Sequence, residues 1–205
     1  AIGLNYRAHA LEGGDEIPER PVIFIKATTA LCAPDDPIIL PKVAPNEVDY
    51  ECELAIIIGK TAHHVAEAEA LDYVLGYTCA NDVSARDCQL RIDKQWARAK
   101  SFDTFAPMGP WLATELDPDN VRVQTRLNGK TMQDSNTNDL IFSCRKLISY
   151  LSDSFTLIPG TVIMTGTPSG VGFARKPPVF LRPGDVVEIE IEGIGTLRNP
   201  VIAEP

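Results

Sequence analysis

Two glutamates separated by one residue interrupt a run that otherwise reads as a buried strand: Val48-Asp49-Tyr50-Glu51-Cys52-Glu53-Leu54-Ala55-Ile56-Ile57-Ile58-Gly59. Alternate strand residues point to the same face, which sets the carboxylates of Glu51 and Glu53 roughly 7 Å apart along the chain. Two anions near one point repel each other and lose hydration unless a cation joins them. A divalent ion would meet that demand. The spacing also admits a solvated edge strand with polar residues outward, although residues 54–58 are apolar on both faces. A third acid, Asp82, closes the next expected strand, in Thr78-Cys79-Ala80-Asn81-Asp82-Val83-Ser84. It either joins the pair or caps a helical turn through Ser84 and Ala85. Three carboxylates without Cys or His make an oxygen-only set, suited to Mg²⁺, Mn²⁺ or Ca²⁺ rather than Zn²⁺. An octahedral ion held this way keeps about three positions for water or substrate oxygens, as a Lewis-acid catalyst requires.

Other residues could work beside such a centre. His9 and Glu12 lie three apart and share a face on a helical turn, where a carboxylate can fix an imidazole's tautomer and raise its basicity; a surface histidine with a chance neighbour has the same spacing. Gly13-Gly14-Asp15-Glu16 follows, polar and flexible, so residues 7–20 read as a mobile lid. Lys100 is a surface charge in isolation, but near three acids it would balance their charge and meet an anionic substrate oxygen. Thr165-Gly166-Thr167-Pro168-Ser169-Gly170-Val171-Gly172 is a Gly-rich turn after a strand, without the spacing of a Walker or dinucleotide loop. Its backbone amides and the Thr167 hydroxyl could hold a carboxylate, and a plain tight turn has the same pattern. His63-His64 reads as an exposed turn, and no Gly-x-Ser-x-Gly elbow occurs.

These residues must be placed by a mostly β chain. Glycine and proline divide it into expected strands at 22–27, 37–40, 51–59, 74–82, 121–128, 161–167 and 186–191. Asn128-Gly129 marks a hairpin. Short helices are expected at 65–72 and, from the spacing of Ile141, Cys144, Leu147, Ile148 and Leu151, at 142–154, with a helical turn or short helix at 83–90. Strands do not alternate regularly with helices, so the expected fold is α+β, mainly β, a mixed sandwich or roll with peripheral short helices in a single domain over residues 1–205. At 44% hydrophobic residues the chain can bury a core. A net charge of −9 with no basic patch argues against nucleic acid and anionic membranes as partners. The five cysteines are odd in number and lack metal-site spacing. Reduced thiols in a cytoplasmic protein are the expectation, with Cys52 and Cys79 as packing residues. The opening Ala1-Ile2-Gly3-Leu4-Asn5-Tyr6 looks like the end of a strand, which points to an upstream segment.

Taken in order, the segments resemble the fumarylacetoacetate hydrolase family, in its acylpyruvase and 2-hydroxyhepta-2,4-diene-1,7-dioate isomerase-like subgroup. The matching pieces are Gly3-Leu4-Asn5-Tyr6 with His9 and Glu12, Pro21–Lys26, Glu51-Cys52-Glu53, and Asn81–Asp87 with Gln89. Lys100-Ser101-Phe102-Asp103, Gly166–Gly172 and Gly184-Asp185-Val186-Val187 follow. The resemblance implies a β-rich, usually homodimeric enzyme with Mg²⁺ or Mn²⁺ on Glu51, Glu53 and Asp82. It makes His9 and Glu12 a water-activating dyad on a lid, and gives Arg86, Gln89, Lys100 and Thr167 substrate-facing roles. The expected reaction is hydrolysis of a C–C bond in a small anionic 2,4-diketo acid such as an acylpyruvate, through a metal-stabilised enolate to which Lys100 also contributes. The same chemistry supports an oxaloacetate-type decarboxylase or a 2-hydroxy-dienoate isomerase or tautomerase. A non-catalytic metal-binding module is the reading from a different class, and the presence of His9, Glu12 and all three acids speaks against it.

Overall fold

The computed structural model describes residues 1–205. In its first half the strands are β1 (Ile2–Gly3), β2 (Val22–Ile23), β3 (Leu31–Cys32), β4 (Ile38–Leu40), β5 (Val48–Asp49), β6 (Cys52–Ile58), β7 (Val74–Asn81) and β8 (Ser84–Ala85). They continue as β9 (Ala106–Ala113), β10 (Arg122–Leu127), β11 (Lys130–Asn136), β12 (Val162–Met164), β13 (Val186–Ile191) and β14 (Gly195–Ala203). The two α-helices are α1 (Arg7–Gly13) and α2 (Cys144–Ser154). Two five-stranded sheets, ordered β11-β10-β13-β14-β4 and β12-β6-β7-β9-β3, carry the fold, with the parallel pairs β14/β4 and β3/β9 at their edges. No helix is long and apolar enough to cross a membrane.

Alternation decides what each sheet buries. In β13, Val187, Ile189 and Ile191 enter the core between the sheets, while Glu188 and Glu190 turn outward to Arg126. Asn128 and Gly129 both have positive φ (52° and 78°), the backbone a two-residue hairpin needs, and they join β10 to β11. Strand β6 is covered on both faces. Cys52, Leu54, Ile56 and Ile58 enter the inter-sheet core, whereas Ala55 packs with Ala80 and Met164 on the outer face. Glu53 shares that outer face by the two-residue period.

The segment that covers the outer face is pinned by Asn5. Its side-chain nitrogen donates to the carbonyls of Thr165 (2.7 Å) and Phe142 (3.1 Å), and its oxygen accepts from the Phe142 amide (2.8 Å). This buried clamp sets the entry into α1, which carries His9 and ends on Gly14 in the left-handed region (φ 77°).

Several boundaries differ from the sequence expectation. The acidic segment expected to be α-helical forms 3₁₀ turns at Glu67–Tyr73; only Ala70 is buried there, so no apolar stripe holds a full α-turn. Residues 83–90 do not make one helix. Ser84–Ala85 pairs with β5 instead, and a wide helical turn follows at Cys88–Ile92. The expected strand at 22–27 stops after Ile23, and Lys26 turns inward to Asp82. Glu51 falls just outside β6, since its amide bonds the Asn81 side chain at 2.9 Å. The expected strand at 161–167 ends at Met164. Strand β9 went unread because Pro107, Gly109 and Pro110 punctuate it; its register is irregular against β7.

Asn5→Ala strands two carbonyls and an amide, so it should cost on the order of 3 kcal/mol. Urea titration reads this as a lower midpoint at an unchanged slope. Asn5→Asp should behave similarly, because a carboxylate cannot donate to the Thr165 carbonyl. A loss below about 1 kcal/mol in both would mean the clamp does not hold α1.

Candidate metal centre and active site

Strands β6 and β7 place the acids. Cys52 pairs with Asn81 and Glu53 with Ala80, and the Asp82 amide donates to the Glu51 carbonyl at 2.9 Å. This register brings Glu51, Glu53 and Asp82 together, buried, with one carboxylate oxygen from each within 4.8 Å of the others. Asp82 caps no helix through its carboxylate; its backbone carbonyl accepts from the Ser84 hydroxyl, and its side chain faces two lysines. The solvated-edge reading of the acid pair therefore does not hold.

Three cations surround the acids. Lys100 Nζ lies 2.7 Å from Glu51 and 2.8 Å from Asp82, and Lys26 Nζ lies 2.6 Å from the other Asp82 oxygen. Arg86 spans Glu51 (2.7 Å) and Asp49 (2.9 Å), donates to Gln89 at 2.8 Å, and stacks 4.4 Å from the Phe173 ring centroid. Burial would raise the Asp82 pKa, but Lys100 and then Lys26 outweigh it and hold the carboxyl at about 2. Burial likewise works against the charge on Lys100, and Asp82 and Glu51 more than restore it. Lys26 is pushed down by burial, offset only in part by Asp82.

Glu53 is the exception. No cation lies within ion-pairing distance of it, and its recorded partner is the Gly166 amide, 2.7 Å from Oε2. Burial, with Asp82 and Glu51 close by, pushes its pKa well above the ordinary glutamate value. Four carboxyl groups (Asp49, Glu51, Glu53, Asp82) face three cations (Lys26, Arg86, Lys100), so an ionised Glu53 would leave one negative charge without a partner. An oxygen-only donor set with an uncompensated buried acid fits a hard divalent cation. Glu51, Glu53 and Asp82 are the residues able to hold one.

The Gly-rich loop also orders the protein's own acids. Three of its amides and the Phe173 amide that follows bond them: Gly166 on Glu53, Gly170 on Glu12 (3.0 Å), and Gly172 and Phe173 on Asp49 (2.8 and 3.0 Å). Gly166 has φ 107°, and a Cβ there would lie 2.7 Å from the Asn5 side chain, so only glycine brings this amide to Glu53.

His9, Glu51, Glu53, Arg86, Gln89, Lys100 and Thr167 line one cavity of about 170 Å³. Glu12 stands behind His9, its Oε2 3.5 Å from Nδ1. Burial opposes the Glu12 charge, but His9 and the Gly170 amide hold its pKa below the usual range. Asp82 sits behind the lysines rather than on the cavity wall. Sequence reasoning assigned no role to Asp49 or Lys26, which complete the charge network, or to Gln133, which bonds Thr167 at 2.8 Å. A charged residue inside an otherwise apolar stretch was the one available signal, and both Asp49 and Lys26 carry it.

The model of the fumarylacetoacetate hydrolase C-terminal domain matches residues 1–202. The chain belongs to this family. It is 51% identical over 213 residues to a Dictyostelium discoideum protein named fumarylacetoacetate hydrolase domain-containing protein 2 homolog, covering 98% of this chain and 70% of that one. It is 48% identical to a mitochondrial oxaloacetate tautomerase of Xenopus laevis, covering 98% of this chain and 64% of that protein. Among solved structures it resembles 5-carboxymethyl-2-hydroxymuconate delta-isomerase of Mycobacterium smegmatis (TM-score 0.89, 50% identity, 100% of this chain and 78% of that one). A 2-hydroxyhepta-2,4-diene-1,7-dioate isomerase of Mycobacterium marinum is similarly close (TM-score 0.88, 45% identity, 99% and 73%).

Glu53→Gln separates charge from shape. The folded chain holds the Glu53 proton more tightly than the unfolded chain, so metal-free wild type loses stability as pH rises above the ordinary glutamate range. Glu53→Gln should flatten that slope and unfold no lower than wild type near pH 7 without metal. It should also abolish the rise in melting temperature on adding Mg²⁺. A variant that still gains stability from Mg²⁺ would remove Glu53 from the ligand set.

Proposed function

We propose that this protein is a divalent-metal-dependent keto–enol tautomerase or isomerase of small 2-oxo acids, with oxaloacetate as the first substrate to test. The carrying observation is that His9, backed by Glu12, opens onto the same cavity as Lys100 and two acids of the triad. Moving a proton between an oxygen and a neighbouring carbon calls for a base, an acid and a cation at the oxygen, and each has a candidate here. The names of the similar proteins support this reading over C–C hydrolysis: two relatives at 47–48% identity are oxaloacetate tautomerases, and two solved structures at 45–50% are isomerases. Hydrolysis is the second reading, favoured by a solved relative from Exiguobacterium antarcticum, 42% identical, that is named a fumarylacetoacetate hydrolase.

Mg²⁺ on Glu51, Glu53 and Asp82 would supply a Lewis acid for the 2-oxo and carboxylate oxygens. His9 takes a proton from C3; the C3–H electron pair becomes the C2=C3 bond, and the carbonyl pair moves to the C2 oxygen. The Lys100 ammonium stabilises that charge, and the imidazolium returns its proton to the oxygen, giving the enol. The reverse gives the keto acid. Glu12, kept anionic by His9 and the Gly170 amide, holds the imidazolium in place. Thr167 and Gln89 orient the substrate's carboxylate, while Arg86, neutralised by Asp49 and Glu51, holds the wall of the site. For the segment at 7–20 to open as a lid, Glu12 must release the Gly170 amide.

The test follows the ultraviolet absorbance of enol-oxaloacetate at fixed Mg²⁺, with EDTA as control and acylpyruvates and a 2-hydroxy-dienoate as parallel substrates. Wild type should accelerate ketonisation over Mg²⁺ alone, and His9→Ala should lose at least about 100-fold in kcat while keeping Mg²⁺ affinity. Ketonisation no faster than the Mg²⁺ control, alongside cleavage of acylpyruvates, would replace this reading with the hydrolytic one.

A further inference from the structure

Cys52 lies between the two glutamates of the triad, and its backbone N–H donates to Gln133 Oε1 at 2.9 Å. The Thr125 hydroxyl donates to the same oxygen at 2.7 Å. On its other side, Gln133 Nε2 donates to the Pro168 carbonyl and to Thr167 Oγ1, both at 2.8 Å. A backbone N–H can only donate and a carbonyl can only accept, so these partners leave the Gln133 amide a single orientation. Gln133 and Thr125 belong to one sheet and Cys52 to the other, while Thr167 and Pro168 belong to the Gly-rich loop; all five are buried. Gln133 thus joins both sheets and the loop at one point.

The bond to Thr167 has a chemical consequence. A hydroxyl has one hydrogen and two lone pairs. Thr167 Oγ1 accepts from Gln133, so its own hydrogen is available to a partner other than Gln133, and Thr167 lines the cavity beside Glu51, Glu53 and Lys100. We propose that Gln133 is a positioning residue that keeps Thr167 a hydrogen-bond donor toward an anionic oxygen of the 2-oxo acid. This rests on the tautomerase reading of the same cavity. Gln133 does not touch substrate; it acts by denying Thr167 an alternative acceptor.

Gln133→Glu keeps the shape and reverses the relation, because its carboxylate accepts and turns the Thr167 hydrogen away from the cavity. Gln133→Met, which neither donates nor accepts strongly, leaves the hydroxyl unoriented and serves if the glutamate variant fails to fold. For ketonisation of enol-oxaloacetate, Gln133→Glu should raise KM by about 10- to 100-fold and leave kcat within about twofold. Thr167→Val should do the same, Thr167→Ser should stay near wild type, and Thr167→Val with Gln133→Glu should be no worse than Thr167→Val alone. Calorimetric titration with pyruvate at saturating Mg²⁺ reads the same contact without turnover. A wild type that binds pyruvate but does not ketonise oxaloacetate removes the tautomerase reading, and the pyruvate affinities then decide on Gln133. The proposal falls if Gln133→Glu and Gln133→Met bind pyruvate as wild type does. It falls equally if the two substitutions add in full, or if wild type binds no pyruvate.

Discussion

The structure is organised around the cost of burying four carboxylates at one point, where β5, the start of β6 and the end of β7 meet. Asp49, Glu51, Glu53 and Asp82 each have side chains no more than 6% exposed or are otherwise fully buried. Isolated in a low-dielectric interior, such groups are driven to protonate or to unfold the site. Lys26, Arg86 and Lys100 are drawn in from three different stretches of chain to meet three of them. The fourth, Glu53, keeps an amide in place of a cation, and that shortfall leaves the cluster able to take a cation, unlike a closed salt-bridge network.

The Gly-rich loop is the second half of the same solution. Three of its backbone amides, with that of Phe173 just after it, end on Glu53, Glu12 and Asp49, so one segment orders the acid cluster and the partner of His9 together. Glycine is needed at two of these points for reasons of space. A Cβ at Gly166 would strike Asn5, and one at Gly172 would come within 1.9 Å of the Val179 carbonyl. The loop, the Asn5 clamp and helix α1 therefore form one unit on the outer face of β6, while its inner face belongs to the shared core of the two sheets. A strand dressed differently on its two faces carries the shared core on one side and the acid cluster on the other.

Much of the site can be read in the chain because polar residues inside apolar runs are conspicuous. Glu51 and Glu53 stand out against residues 54–58, and strand periodicity puts them on one face. Asp82 was ambiguous between ligand and helix cap, and the ladder of β6 with β7 sets it beside the two glutamates. The roles of Lys26, Asp49 and Gln133 were beyond reach. Lys26 meets Asp82 across 56 positions, and Gln133 meets the Cys52 amide across 81. No local pattern encodes a partner at that separation. The helical turn or short helix expected at 83–90 starts later for a related reason: the pairing of β8 with β5, and of Arg86 with Asp49, overrode local propensity at its first residues.

By itself the sequence determined the residue types available for chemistry, the β-rich character, the hairpin at Asn128-Gly129 and the face shared by the two glutamates. All of these follow from short-range sterics and two-residue periodicity. Only the tertiary structure decided which acid lacks a cation, which groups consume the loop's amides and which side chains share a cavity. Those are balances of charge and hydrogen bonding among groups far apart in the chain, and they exist only once the two sheets and the loop have closed on one another.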